Sequence, residues 1–154
     1  MAPRLLVYLM SFLTLGIFWV GQQTQLNLLA HSNRDLAWIH LGFLFGVSLM
    51  PFSTALMAGF IAYRAALLLY WANILLLGAL LFASWRYLMQ AGLLRSEVPD
   101  GTGRWIERRI LVAQALYAVG ALLCVISTTW SLGFIVLVQL NYAVAPRIGP
   151  LSRI

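Results

Sequence analysis

The sequence predicts an all-α integral membrane protein with five transmembrane helices. Of its 154 residues, 62% are hydrophobic and 9% are charged, whereas about 25% of residues are charged in a typical soluble chain. Uncharged stretches cover residues 5–33, 36–63, 65–85 and 110–146. Each reaches the roughly 20 residues that a helix needs to cross about 30 Å of hydrocarbon. These observations exclude an ordinary soluble fold and indicate a single transmembrane helical domain over residues 1–154.

The predicted helix boundaries follow from the ends of these stretches and from the turn residues between them. The last stretch is too long for one span, since its 37 residues would extend about 55 Å at about 1.5 Å per residue. The hydroxyl-rich run Ser127–Ser131 is a natural place for a turn within it. The five predicted helices cover about residues 5–28, 36–58, 65–88, 108–127 and 131–146.

The distribution of arginine predicts the orientation in the membrane. Residues 90–109 form the longest polar segment and are predicted to be a loop, with a turn at 98–101 and an interfacial lead-in to the fourth helix. Arg4 and Arg64 fall on one side of the predicted topology. The other eight arginines fall on the opposite side: Arg34, Arg86, Arg95, Arg104, Arg108, Arg109, Arg147 and Arg153. By the positive-inside rule, the loop and the C-terminus are cytoplasmic and the N-terminus is outside.

Two further features fit the ends of the predicted helices. The formal net charge of +6 comes from arginines on the predicted cytoplasmic rim, so membrane lipid is the expected partner and nucleic acid is not. Most of the tryptophans lie near predicted helix ends, as in an aromatic belt at the headgroup level. These are Trp38, Trp71, Trp85, Trp105 and Trp130.

The sequence lacks the residue constellations of an enzyme, a cofactor site or a metal site. No HExxH or GxSxG motif occurs, and His31, His40 and Cys124 are too few and too scattered to hold a metal. The acidic residues all lie outside the uncharged stretches, which argues against a proton-driven carrier. They are Asp35, Glu97, Asp100 and Glu107. We therefore expect no catalytic residues, no cofactor and no enzymatic activity.

A stripe of uncharged polar residues follows one face of the first predicted helix. Its members, Ser11, Thr14, Gln22 and Gln25, are joined by Phe18 in a spacing of three, four, four and three residues. Such a stripe could line a water-filled path or could hydrogen-bond a neighbouring helix, and the second use is the commoner one. Other residues suited to contacts between helices are Asn73, Gln114, Gln139 and Asn141.

The second predicted helix contains elements for close packing and for a kink. Gly42 and Gly46 form a GxxxG pattern, which allows another backbone to approach closely. His40 precedes them and is expected to be satisfied by a packing contact. Pro51 removes a backbone donor and should kink the helix, with the hydroxyls of Ser48, Ser53 and Thr54 available to bond freed carbonyls.

Three segments of these helices resemble the bacterial branch of the transmembrane protein 175 potassium channels. They are SFLTLGIFWV at residues 11–20, LAWIHL at 36–41 and VSLMPFSTAL at 47–56. The resemblance implies six-helix subunits with cytoplasmic termini that assemble as tetramers around a central potassium pore. The five helices of this chain would correspond to the family's second to sixth, in agreement with an N-terminus outside the membrane.

The departures from the family pattern concern the pore. The family's first helix lines the pore and carries a Phe-Ser-x-x-Asp motif, which this sequence lacks. Gln22 and Gln23 stand where the family usually has histidines, and His40 stands where it usually has asparagine. By resemblance, Trp19, Gln22 and His40 would support the motif through hydrogen bonds.

The leading hypothesis is a subunit of a potassium channel in a bacterial inner membrane, which conducts potassium ions passively as a homo-oligomer. The chain would be an incomplete copy of a six-helix subunit or a divergent member whose pore is built otherwise. A second hypothesis is a non-conducting membrane scaffold or partner-binding subunit. A third, a small-molecule carrier, has weaker support because the five spans show no repeat symmetry.

Overall fold

The computed structural model describes residues 2–60, 63–97 and 101–144, and five α-helices account for most of them. Over these ranges the backbone forms no strand, only an isolated bridge between Leu29 and Leu94. The helices are α1 (Ala2–Asn27), α2 (Arg34–Gly59), α3 (Arg64–Gln90), α4 (Thr102–Ile126) and α5 (Thr128–Val144). The prediction of an all-helical chain with five helices is confirmed for this part of the protein.

The fourth helix begins earlier than the sequence indicated, at Thr102 instead of near residue 108. The arginine-rich run expected as a lead-in within the 90–109 loop is therefore helical. Gly101 has a φ of 97°, a left-handed conformation that glycine adopts without strain and that stops a helix from continuing backwards. Ile106 and Ile110 follow at helical spacing and are buried, so packing favours the added turns. Between α4 and α5, the turn at Ser127 lies where the hydroxyl-rich run predicts it.

Three helices are long and apolar enough to cross a membrane, judged by length and composition: α2, α3 and α4. A shorter apolar helical stretch, Trp130–Asn141, lies within α5. These helices all lie within residues 2–60, 63–97 and 101–144. The chain therefore has the composition and helix lengths of a membrane protein.

Helix α3 is the centre of the bundle. It packs against α1, α2 and α4, while α5 packs against α1 and α4. The largest side chains of α3 are fully buried, including Tyr70, Trp71 and Trp85. Trp71 and Trp85 are thus interior residues, and their expected place in an aromatic belt is wrong. Trp38 and Trp130 are exposed, as a belt requires.

Backbone hydrogen bonds join the first and third loops at one end of the bundle. The N–H of Ala30 donates to the carbonyl of Leu93 at 2.8 Å, and the N–H of Arg95 donates to the carbonyl of Leu28 at 3.0 Å. The side chain of Asn33 caps α2 by accepting from the N–H of Leu36 at 3.0 Å. These bonds hold the two arginine-bearing loops on the same side of the bundle.

Candidate functional site

Five buried polar side chains meet where α1, α2, α3 and α5 come together, and we call them the buried polar cluster. They are Ser11, Thr14, Thr54, Tyr70 and Gln139. The hydroxyl of Tyr70 lies 3.2 Å from Oγ1 of Thr14 and 3.4 Å from Oγ of Ser11. Thr54 Oγ1 lies 2.7 Å from Ser11 Oγ, and Gln139 donates to Thr14. One half of the predicted polar stripe therefore contacts three neighbouring helices.

The other half of the stripe, Gln22 and Gln25, lies near the C-terminal end of α1. Gln25 is 1% exposed, and its Nε2 donates to the carbonyl of Leu81 in α3 at 2.9 Å. Gln22 is also buried. The Oε1 atoms of Gln22 and Gln25 have no hydrogen-bond partner among the described residues. A buried amide oxygen without a partner costs free energy, so these oxygens are the least satisfied polar atoms on the stripe.

The three side chains expected to support the family motif have different surroundings. Trp19 is 56% exposed, on the outer side of α1, whereas Gln22 is buried. The ring Nε2 of His40 lies 3.2 Å from Oγ of Ser84 in α3. Among the described residues, no hydrogen bond joins Trp19, Gln22 and His40 to one another. His40 therefore forms a contact with α3, of the packing kind expected for it.

The glycine pattern of α2 faces α3 within the same chain. A Cβ built on Gly46 would lie 2.9 Å from Leu77, and one on Gly42 would lie 3.4 Å from Leu80. The absent side chains therefore let α3 approach α2 closely. Gly42 and Gly46 are part of the contact between these two helices.

Pro51 lies inside a helix that continues on both sides of it. Asn73 reaches from α3 to the turn before Pro51, where its amide bonds the carbonyl of Gly46 and the N–H of Met50, each at 3.2 Å, in the orientation that satisfies both. The hydroxyls of Ser53 and Thr54 donate to the carbonyl of Met50. Pro51 removes the donor to the carbonyl of Val47, four residues earlier, but these hydroxyls bond the carbonyl of Met50, so among the described residues the expected bond to the freed carbonyl does not form. Asn73 adds a bond from the neighbouring helix.

A second hydrogen-bonded contact joins α3, α4 and α5, and the sequence patterns did not indicate it. The indole Nε1 of Trp71 donates to Oγ of Ser131 at 3.1 Å, and Ser131 donates to the carbonyl of Gly120 at 2.8 Å. A Cβ on Gly120 would lie 2.3 Å from the Trp71 ring. The sequence offers one signal for such contacts, which is that Tyr70 and Trp71 lie within an apolar span. A buried phenol or indole usually has a hydrogen-bond partner.

The surface opposite the polar stripe is apolar and uncovered, and we call it the outer face of α1. Its residues are Leu5, Tyr8, Leu9, Phe12, Trp19 and Val20. Phe12 is 73% exposed. Helical spacing places these residues on one side of α1. In a membrane this face meets lipid or another protein chain.

A half-open groove of about 90 Å³ runs between α1 and α4. Its α1 wall includes Ile17 and Val20, its α4 wall includes Ile110 and Ala113, and Leu81 of α3 also lines it. Arg109 belongs to the same lining, with its guanidinium 5.3 Å from the centroid of the Trp105 ring. The groove is thus apolar over most of its surface and cationic at one position.

The first third of the chain is similar to known proteins. Residues 1–51 match the model of the family described as endosomal/lysosomal potassium channel TMEM175. A protein described as a potassium channel from Chryseobacterium sp. (strain P1-3) is 36% identical over 52 residues, which are 34% of this chain and 27% of that relative. No solved structure matches this chain. The resemblance to the transmembrane protein 175 potassium channel family is therefore confirmed over residues 1–51, which comprise α1 and most of α2.

Proposed function

We propose that this chain is a subunit of a potassium-conducting membrane channel. The observation that carries the proposal is the match of residues 1–51 to the potassium channel family, together with the name of the Chryseobacterium relative. The absence of acidic residues from the uncharged stretches supports passive conduction over a proton-driven cycle. The match to a channel family also favours a non-enzymatic role.

We further propose that all five helices cross a bacterial inner membrane, so that the chain is a multi-pass membrane protein. In this topology the N-terminus is outside, and the loop after α3 and the C-terminus are cytoplasmic. Two features support it. The loops that follow α1 and α3 bond to each other at one end, and that end carries Arg34, Arg86 and Arg95, as the positive-inside rule requires.

The conduction path is proposed to lie between copies of the chain. Within one copy, the members of the buried polar cluster bond to each other and are shielded from the surface. The exposed sides of the helices, including the outer face of α1, are instead apolar. An apolar constriction between copies would gate by wetting and drying, without intramembrane charges. Several copies are therefore required, and the family resemblance favours a tetramer.

Potassium flux from liposomes tests this proposal. The purified chain is reconstituted into vesicles loaded with potassium chloride, and efflux is compared with that of empty vesicles. A second sample carries an added N-terminal helix with the Phe-Ser-x-x-Asp motif. The proposal predicts flux above background in at least one sample. Background flux in both samples, from protein whose helix content is intact, would overturn it.

A non-conducting scaffold is the second candidate function. It is favoured by the use of Ser11, Thr14 and Gln25 in contacts between helices and by the packing of Gly42 and Gly46 against α3. This alternative predicts a stable oligomer or complex without permeability to ions. Measuring the oligomeric mass of the same samples that are used for flux separates the two functions.

A further inference from the structure

The groove between α1 and α4 has the shape of a site for a single extended hydrocarbon chain. The rings of Phe18 and Tyr117 stack across it with centroids 6.4 Å apart, which brings the two helices together at one end. From Arg109 to Tyr117 the groove follows α4 for about 12 Å, at about 1.5 Å per residue. Half of a hydrocarbon core of about 30 Å is about 15 Å. The part of the groove beyond Arg109 therefore covers most of the depth of one membrane leaflet.

The lining of the groove changes character along its length. Away from the loops the walls are mostly apolar, with Ile17, Ile110 and Ala113, and they include one polar residue, Gln114. Toward the first and third loops the lining includes Thr24 and Arg109. An occupant that fits both parts is amphiphilic, with a hydrocarbon portion inside and a polar portion at the arginine.

The charge at this end of the groove is positive and is not neutralised by the acid in the same helix. Of the three arginines in the first turns of α4, Arg109 lines the groove, whereas Arg104 and Arg108 lie on another side of the helix together with Glu107. Glu107, between them, forms an ion pair with Arg86 at 3.0 Å. The guanidinium of Arg109 rests over the ring of Trp105, an arrangement that orients it without neutralising its charge. Anionic headgroups are attracted by basic side chains at this depth.

We propose that the groove binds an anionic phospholipid, with one acyl chain between α1 and α4 and the headgroup phosphate at Arg109. Arginine suits this role because its guanidinium donates paired hydrogen bonds to phosphate oxygens. The lipid would cover the gap between α1 and α4. This proposal does not depend on conduction, because binding is measured without any ion flux.

Binding of defined lipids to the delipidated protein tests the site. The protein in detergent is titrated with phosphatidylglycerol or with phosphatidylcholine of the same acyl chains, and bound lipid is counted by native mass spectrometry. Phosphatidylglycerol is expected to bind more tightly. Arg109→Gln should weaken its binding about fivefold, as expected for one basic residue near a lipid headgroup. Arg108→Gln, the same charge change one residue away, should have a smaller effect.

A second pair of variants tests the acyl chain's position. Ala113→Phe places a ring in the groove and should abolish the tight phosphatidylglycerol site, whereas Ala115→Phe, on the exposed side of α4, should preserve it. Circular dichroism checks that each variant keeps its helix content. Equal binding of the two lipids, or equal effects of Arg109→Gln and Arg108→Gln, would overturn the proposal. So would an Ala113→Phe variant that changes the oligomeric mass but binds lipid normally, since the groove would then be a contact between copies.

Discussion

Helices α1 and α3 have nearly the same length and are both mostly apolar, yet the bundle covers them differently. Helix α3 contacts three other helices and buries Tyr70, Trp71 and Trp85. Helix α1 buries a polar stripe and leaves Phe12 and Trp19 exposed. The family match covers α1 and ends before α3. The segment that is recognisable from known channels thus presents an uncovered surface, while the unmatched helix holds the bundle together.

The strongest expected contrast between the two helices is at tryptophan. Trp71→Ala should lower the free energy of unfolding by about 3 kcal/mol, because it leaves a cavity and breaks the bond to Ser131. The value is at the low end for a buried tryptophan, since lipid replaces water as the alternative environment. Trp19→Ala, at an exposed position, should cost under about 0.5 kcal/mol. Unfolding in detergent measures both, and similar losses would break the contrast.

A smaller contrast is expected at glycine. Gly120→Ala directs a Cβ to within 2.3 Å of the Trp71 ring and 3.1 Å of Phe134, so the rings must move and the free energy of unfolding should fall by about 1–3 kcal/mol. Gly133→Ala meets no atom within 4 Å and is the matched control. Thermal melting followed by circular dichroism compares them. A melting temperature unchanged by Gly120→Ala would mean that α3 and α4 are not in close contact.

The buried polar cluster predicts a still smaller effect. Tyr70→Phe removes the hydroxyl that lies near Ser11 and Thr14, and it should cost about 0.6 kcal/mol, the average for hydrogen bonds between membrane helices. Ser11 and Thr14 keep their bonds to backbone carbonyls of α1, which limits the loss. Tyr8→Phe, on the outer face of α1, is the control and should change nothing measurable. A larger loss for Tyr8→Phe would reverse the assignment of the two faces.

Substitution of exposed leucines is expected to have the smallest effect on the stability of one copy. It should instead change how strongly copies associate. Leu9→Ala and Leu122→Ala both alter exposed side chains and should change the free energy of unfolding by less than about 0.5 kcal/mol. If the outer face of α1 joins copies, Leu9→Ala should weaken their association about fivefold. Leu122→Ala, on α4, should not. Analytical ultracentrifugation in detergent distinguishes these outcomes.

Much of the fold follows from the sequence, because a helix that crosses the hydrocarbon of a membrane needs an uncharged stretch of about 20 residues. Uncharged stretches of sufficient length predict the five helices, and the hydroxyl run predicts the turn at Ser127. The start of α4 was harder to predict. Charged residues such as Arg104 and Glu107 are typical of a loop. The burial of Ile106, which favours the helix, depends on contacts with neighbouring helices that composition does not describe.

The candidate site was predictable only in part, since helical spacing gives a face but not its partner. The spacing put Ser11, Thr14, Gln22 and Gln25 on one side of α1, and the structure buries that side. It could not indicate that Tyr70 meets Thr14, because these residues are far apart in the sequence. Nearness to helix ends predicts an aromatic belt, but this criterion does not separate an exposed Trp38 from a buried Trp71.

The most direct test of the channel assignment is the reversal potential of the reconstituted protein in a planar bilayer. Potassium chloride is placed on one side and sodium chloride at equal concentration on the other. If the chain forms a potassium channel, the current should reverse at a potential of the sign required for preferential potassium permeation. A reversal potential of zero, or the absence of current from folded and assembled protein, would contradict it.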